Sequence, residues 1–286
     1  MLAAFARLVS GDFKEISRKK QRPQMVTIPF SHYVEFARWS LLYARVQFDE
    51  HPFTPGDHIL PTLSVRLADK QKAAKGSDGD EKENLTLVPL VVLPEGEVLN
   101  DSWTIAQRLS GMGGIDPELK EFLNQQWGPQ TRAFAYSFLL KKGNSQTWKD
   151  LITSVGGWWL QIKFFLFYDS ILRNHFRSVR PDDPEALKEL IAKMKASVST
   201  LDSYFDKAGG KKYLGDGKGS DQPGIADFAL AALTAPCVNP PKFCGGMYSD
   251  FFDGMIKKDP EYSASIKEFR ETRTGKFCLD MYEQHR

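Results

Sequence analysis

Cysteine, clustered histidine, net charge and long apolar runs are all in short supply in this chain, and each shortage removes a class of function. The three cysteines, Cys237, Cys244 and Cys278, lie toward the C-terminus with neither a CxxC pair nor a zinc-ligand spacing. A dithiol redox centre and a structural zinc site are therefore not expected, and a reducing compartment such as the cytoplasm is. The five histidines, His32, His51, His58, His175 and His285, are scattered, without the short spacing of a metal-binding helix, so no metal is predicted. Formal net charge is only +2, with acids and bases interspersed, which supplies no global field toward nucleic acid or an anionic membrane surface. The most apolar segment, Trp158 to Tyr168, is about eleven residues and carries Lys163, against the roughly twenty that cross a bilayer as a helix. It is expected as a buried or subunit-facing helix, with no integral membrane segment.

At 286 residues the chain has material for one large domain or two modest ones. Residues 1–24 stand apart, because a short apolar stretch from Met1 to Val9 is followed by the basic run Arg18-Lys19-Lys20-Gln21-Arg22. That combination leaves organelle import open. Asp12 and Glu15 weigh against a transit peptide, and the segment reads as an N-terminal helical extension. From Met25 to Ile28 a β-branched run predicts a strand, and Val34, Ala37, Leu41 and Ala44 share one face of a helix over Tyr33 to Ala44. The alternation in Arg45 to His51 predicts a second strand. An apolar stretch through Leu67 has no clear period, and residues 69–85 read as a charged, solvated insertion.

Leu85 to Val92 and Glu97 to Leu99 then flank Pro94-Glu95-Gly96, a hairpin signature, and Asp101-Ser102 open a helix that runs to Leu109. The order βαβ then ββα fits a small mixed sheet covered by helices over 25–110. An acid beside a hydroxyl at a helix start is where the zwitterionic end of a peptide would dock. Gly111 to Pro117 marks a boundary, and 120–286 reads as all-helical. Its clearest helix starts with Asp183 as N-cap and Pro184 as first residue, with Leu187, Leu190, Ile191, Met194, Val198, Leu201 and Phe205 at helical spacing. After a glycine-rich loop, Gly209 to Gly224, a helix that is apolar all round begins at Ile225 and is expected to stop near Pro236.

Four segments in this order resemble the glutathione transferase superfamily. Val88-Pro89 is similar to the family's Val-Pro before the third strand; Asp101-Ser102-Trp103-Thr104-Ile105 resembles its acid-Ser-x-x-Ile segment. Ser31-His32-Tyr33-Val34-Glu35-Phe36-Ala37-Arg38-Trp39 looks like the first helix of the Ser- and Cys-type classes, closest to bacterial and algal transferase-like proteins. Gly224-Ile225-Ala226-Asp227 resembles the capping box of the buried second-domain helix, with Gly in place of Ser or Thr. The resemblance implies an α/β plus all-α fold, a thioredoxin-like N-terminal domain followed by an all-helical C-terminal domain. It also implies a detoxification enzyme that conjugates glutathione, its co-substrate, to a small-molecule electrophile, and a homodimer. The rival reading is a non-catalytic module that keeps this fold for binding or assembly.

By the same resemblance, Ser31 would stabilise the glutathione thiolate, cis Pro89 would expose the Val88 backbone to the cysteinyl part, and Asp101 and Ser102 would hold the γ-glutamyl end. A thiol with pKa near 8.5 is only a few per cent ionised at neutral pH, and a hydroxyl at a helix N-terminus supplies both a donor and positive potential. Each residue has a plainer reading beside this one. Ser31 and Asp101 would serve as helix N-caps, and Pro89 as an edge-strand proline. His32 and Tyr33 are alternative donors, Arg66 and His58 the candidates for the glycyl carboxylate, and Trp127, Phe134, Tyr136 and Phe138 are aromatics that either line an acceptor pocket or fill a core. With no Cys at 31 and Val at 34, thiol-disulfide exchange is not expected.

Overall fold

A computed structural model describes residue 16 and residues 20–73, 87–153 and 177–286 of the chain. Contacts divide the chain into two units, Met1–Gly111 and Met112–Arg286. Most of the 1–24 extension, Trp158 to Tyr168 and residues 74–86 of the charged insertion lie outside the described residues. Within them, no helix is long and apolar enough to cross a membrane.

In the first unit β1 (Gln24–Thr27) lies inside a four-stranded sheet of order β2-β1-β3-β4. It pairs parallel with β2 (Asp49–Pro52) and antiparallel with β3 (Leu90–Val92), and β3 pairs antiparallel with β4 (Val98–Leu99). Successive side chains of a strand point to opposite faces, and this alternation builds two cores. Met25 and Val91 join Val34, Ala37 and Leu41 of α1 (His32–Tyr43) and Ile105 of α3 (Ser102–Leu109) on one face. Val26, Leu90 and Val92 join Val65 of α2 (Ile59–Ala73) and Ile16 on the other. Ile16, assigned from the sequence to a separate extension, is therefore a core residue, and Gln24 already belongs to β1.

Two further expectations are corrected. Arg45 to Phe48 do not form a strand; they close α1. Arg45 takes the left-handed conformation, φ 57°, while its N–H donates to the Leu42 carbonyl and that of Val46 to Leu41, the Schellman pattern that satisfies the last helical carbonyls. The apolar stretch without a clear period is α2, which also takes in Lys70 to Ala73 from the start of the charged insertion.

One buried cation stitches this unit together. Arg38, on α1, donates from Nη1 to Glu35 Oε2 at 2.9 Å and from Nε to Glu50 Oε2 at 2.9 Å, with Nη2 on the second Glu50 oxygen. Thr27 Oγ1, at the end of β1, donates to Glu50 Oε1 at 2.7 Å. The fork thus ties α1 to β2 and, through Glu50, to the end of β1, where the chain turns toward α1.

Among the described residues, the helices of the second unit are joined by loops, one of which carries a single β-bridge between Tyr213 and Ser220. α4 (Pro117–Phe122) runs through a π turn at Leu123–Trp127 into α5 (Gly128–Leu139), followed by α6 (Ser145–Thr153). α7 (Pro184–Lys207) starts where the sequence puts it, the Asp183 side chain accepting from the N–H groups of Glu185 and Ala186. α8 (Ile225–Val238) is buried almost end to end and is followed by α9 (Ser249–Lys258), α10 (Pro260–Glu271) and α11 (Arg273–His285). α8 passes Pro236 instead of stopping at it, and ends where Asn239 turns left-handed with φ 46°.

The glycine at the N-cap of α8 has a steric cause. The Asp227 carboxylate accepts three backbone N–H bonds, from Leu214 at 2.7 Å, Gly215 at 2.9 Å and Gly224 at 2.8 Å, so the glycine-rich loop folds back onto the helix start. A Cβ on Gly224 would lie 2.8 Å from the Gly215 carbonyl oxygen. Burial pushes the Asp227 carboxyl up to about 6 against the pull of those donors.

Two outcomes are expected. Gly224→Ser lowers stability by about 1–3 kcal/mol because the loop must move; a rise in the urea midpoint contradicts this. Arg38→Met leaves the fully buried Glu35 and the part-buried Glu50 without their shared cation and costs about 3–5 kcal/mol, read as a fall in Tm; an unchanged Tm contradicts it.

Candidate functional site at one edge of the sheet

Strand direction decides which chain ends meet. β4 is antiparallel to β3, which is antiparallel to β1, so β1 and β4 run the same way. Each is followed by a helix, so the N-termini of α1 and α3 both rise from the same edge of the sheet. β3 begins at that edge, with Val88 and Pro89 immediately before it. The predicted residues Ser31, Val88, Pro89, Asp101 and Ser102, separated by up to about seventy positions in sequence, are thus gathered at one edge by topology alone. Packing holds the two helix starts together: Phe36 of α1 meets Trp103 of α3 edge-on, with ring centroids 4.8 Å apart.

Ser31 occupies the N-cap position of α1 with φ −76° and ψ 127°, yet its side chain makes no capping hydrogen bond. Its carbonyl accepts the first helical bond, from Glu35 N at 2.8 Å. Among the described residues the hydroxyl has no partner, so it remains available beside the positive end of the helix. Val34 is fully buried in the sheet core, and His32 is buried as well. Its ring centroid lies 4.4 Å from that of Tyr33.

The Val88-Pro89 peptide bond is cis. Pro89 is buried and Val88 half-buried, and because Val26 pairs with Leu90, this dipeptide runs alongside the exit of β1 toward Ser31.

Asp101 and Ser102 differ in how far their polar groups are spent. Asp101 is the N-cap of α3: its Oδ1 accepts from the N–H groups of Trp103 and Thr104, both at 2.9 Å, and its Oδ2 from the Thr104 hydroxyl at 2.5 Å. An ionised carboxylate offers about four lone-pair sites, so this exposed side chain keeps room for one further donor. Ser102 is the first residue of α3 and only 4% exposed. Neither its hydroxyl nor its N–H has a partner among the described residues. An acid with one site left and an unspent N–H and O–H pair sit side by side, the arrangement that suits an ammonium and a carboxylate on one carbon.

The other candidates fall elsewhere. Arg66 is 3% exposed and turned inward, with Nε donating to Asn100 Oδ1 at 2.8 Å and Nη2 to the Asn100 carbonyl at 3.0 Å. It therefore supports the residue ahead of Asp101 and does not face a ligand directly. His58 Nδ1 accepts from the Gly56 N–H at 3.0 Å within the β2–α2 connection. In the second unit Trp127, Phe134 and Phe138 are core residues: Trp127 Nε1 donates to Thr234 Oγ1 at 2.9 Å, and Phe134 and Phe138 cluster with Tyr262. Tyr136 is half-buried and packs edge-on to Trp148. Cys237, Cys244 and Cys278 are free and buried; burial raises the thiols of Cys237 and Cys278. Among the described residues no group of three or more His, Cys, Asp or Glu could hold a metal ion.

Sequence reasoning missed the Arg66–Asn100 contact. The signal was present, an arginine within an otherwise apolar stretch, but its partner lies thirty-four positions away, across the charged insertion.

No family model matches the sequence, and no curated protein matches it. Solved structures do. A glutathione transferase of Phanerochaete chrysosporium aligns over 93% of this chain and 98% of its own, with 16% identity and a TM-score of 0.50. A Tau class glutathione S-transferase from mango, Mangifera indica, covers 93% of this chain and 96% of its own at 14% identity and TM-score 0.46. A glutathione S-transferase of Methylobacillus flagellatus, solved with glutathione bound, covers 90% and 98% at 12% identity and TM-score 0.41. Identities this low speak to architecture alone: the chain has the glutathione transferase fold, a thioredoxin-like mixed sheet followed by an all-helical unit.

Proposed function

We propose that this chain binds glutathione at the sheet edge and transfers its thiolate to an electrophilic small molecule, with Ser31 stabilising the sulfur. The observation that carries this reading is the set of unspent donors gathered at that edge: the Ser31 hydroxyl at the start of α1 and the Ser102 hydroxyl and N–H at the start of α3. The γ-glutamyl carboxylate would sit on Ser102, its ammonium on the remaining Asp101 lone pair, and the cysteinyl backbone along Val88 ahead of cis Pro89.

The sulfur would then lie by Ser31. Donation from a neutral hydroxyl, with the dipole of α1 behind it, stabilises the thiolate relative to the thiol and lets the proton leave to solvent. The sulfur lone pair forms a bond to the electrophilic carbon as the leaving group departs with its electron pair, and no redox partner or metal enters the balance. The compartment is read as cytoplasmic on the sparse, odd cysteine count, and the chain as pairing with a second copy on the family resemblance.

Two substitutions separate binding from chemistry. Ser102→Ala removes a hydrogen bond to a charged group, a loss of about 1.5–3 kcal/mol, and is expected to raise the Kd for glutathione at least about tenfold with kcat at saturation little changed. Ser31→Ala is expected to lower kcat at neutral pH by about 10- to 100-fold, on the same scale per donor, with activity recovering as pH rises toward the free thiol's pKa near 8.5. Full activity of Ser31→Ala at neutral pH removes Ser31 from the mechanism. Glutathione binding without turnover in the unmodified chain leaves the binding module as the function.

A further inference from the structure

The buried Arg66 has no place in that scheme as a ligand contact, yet the residue it grips stands directly ahead of the proposed γ-glutamyl site. We infer that Arg66 is a positioning residue for that site, setting the peptide plane from which Asp101 and Ser102 project and thereby the affinity for the amino-acid end of glutathione. The inference rests on the reading of the sheet edge as a glutathione site and deepens it.

The geometry is specific. Asn100 is the single residue between the end of β4 and the N-cap of α3. Arg66 holds it twice: Nε on the side-chain oxygen at 2.8 Å and Nη2 on the carbonyl at 3.0 Å. That carbonyl belongs to the same planar peptide group as the Asp101 N–H, so fixing its oxygen fixes the plane. From there only the two soft dihedrals of Asp101 (φ −148°, ψ 161°) separate the held group from the Ser102 N–H. Asp101 is locked in turn by the two N–H groups of the first turn. The unspent donors of Ser102 are therefore anchored on both sides, by α3 after them and by α2 before them.

Burying a guanidinium is costly unless its donors are used, and at 3% exposure Arg66 meets that cost in part through Asn100. A planar fork can hold an amide oxygen and a carbonyl together. A lysine ammonium, a point donor on a flexible stem, does not reproduce this. Arg66→Lys keeps the charge and loses the geometry.

The test is titration of the full-length chain with glutathione by calorimetry, with Tm and steady-state kinetics against an aryl halide electrophile measured on the same samples. Arg66→Lys is expected to raise the Kd for glutathione about five- to tenfold, leaving kcat at saturating glutathione and the KM for the electrophile within about twofold. Asn100→Leu is expected to raise the Kd by a similar factor, whereas Asn100→Asp, which keeps both acceptors, stays close to the unmodified chain. In the Ser102→Ala background, Arg66→Lys is expected to add little further loss, since both act on the same anchor. A Tm that falls while the Kd stays unchanged in Arg66→Lys and Asn100→Leu overturns the inference and leaves the contact as a tie between α2 and β4. An unmodified chain that binds no glutathione at millimolar concentration overturns the functional reading itself and this inference with it. Binding by the unmodified chain with unaltered affinity in the variants overturns the inference alone.

Discussion

The shared ion pair of Arg38 is the interaction on which the proposed binding edge of the first unit depends. A guanidinium on α1 meets Glu35 from its own helix and Glu50 from β2, and Glu50 also takes the hydroxyl of Thr27 at the end of β1. Three elements are thereby fixed at the point where the chain leaves β1 and turns toward Ser31. Removing charges from water is expensive, and the cost is offset only where the geometry satisfies the donors and acceptors on both sides. Here Nε and both Nη nitrogens are engaged. The pair ties the helix to the parallel strand pair beneath it, and so bears on where the helix N-terminus points.

With that helix placed, the direction of the other strands does the rest. A sheet in which the first and fourth strands run together, with the third running against both, delivers two helix starts and one strand start to a single edge. Each helix start carries a partial positive charge. The chain uses these two starts differently. Among the described residues, at α3 an aspartate caps the first turn and the serine after it is left without a partner; at α1 the serine at the cap position leaves its own hydroxyl uncommitted. Ser31, at a cap position whose side chain does not cap, is the kind of local departure from ordinary helix chemistry that supports the proposed binding surface.

Elements set by local chemistry were legible in the sequence. Asp183-Pro184 fixed the start of α7, Asp101 the start of α3, and the Pro-Glu-Gly turn the β3–β4 hairpin. What was not legible required distant or steric information. Arg45 to Phe48 alternate like a strand, but a left-handed Arg45 and two Schellman bonds make them the end of a helix. α2 hid because its apolar residues run without a clean period into a charged tail. Ile16 looked like part of an appendage, and only its place beside Val26, Val65, Leu90 and Val92 shows it as core. The glycine ahead of α8 stood out only as a departure from the capping box it resembles, whereas the Gly215 carbonyl leaves no room there for a Cβ. At the candidate site, the support that Arg66 gives to Asn100 needed the fold.

The central claim, that one edge of the sheet is built to receive glutathione, is tested most directly by a crystal structure of the chain grown with millimolar glutathione. The account predicts the γ-glutamyl carboxylate on the Ser102 N–H and hydroxyl, its ammonium by Asp101, the cysteinyl backbone against Val88, and the sulfur within hydrogen-bond reach of Ser31 Oγ. A tripeptide bound elsewhere, or a sulfur turned away from Ser31, would contradict it.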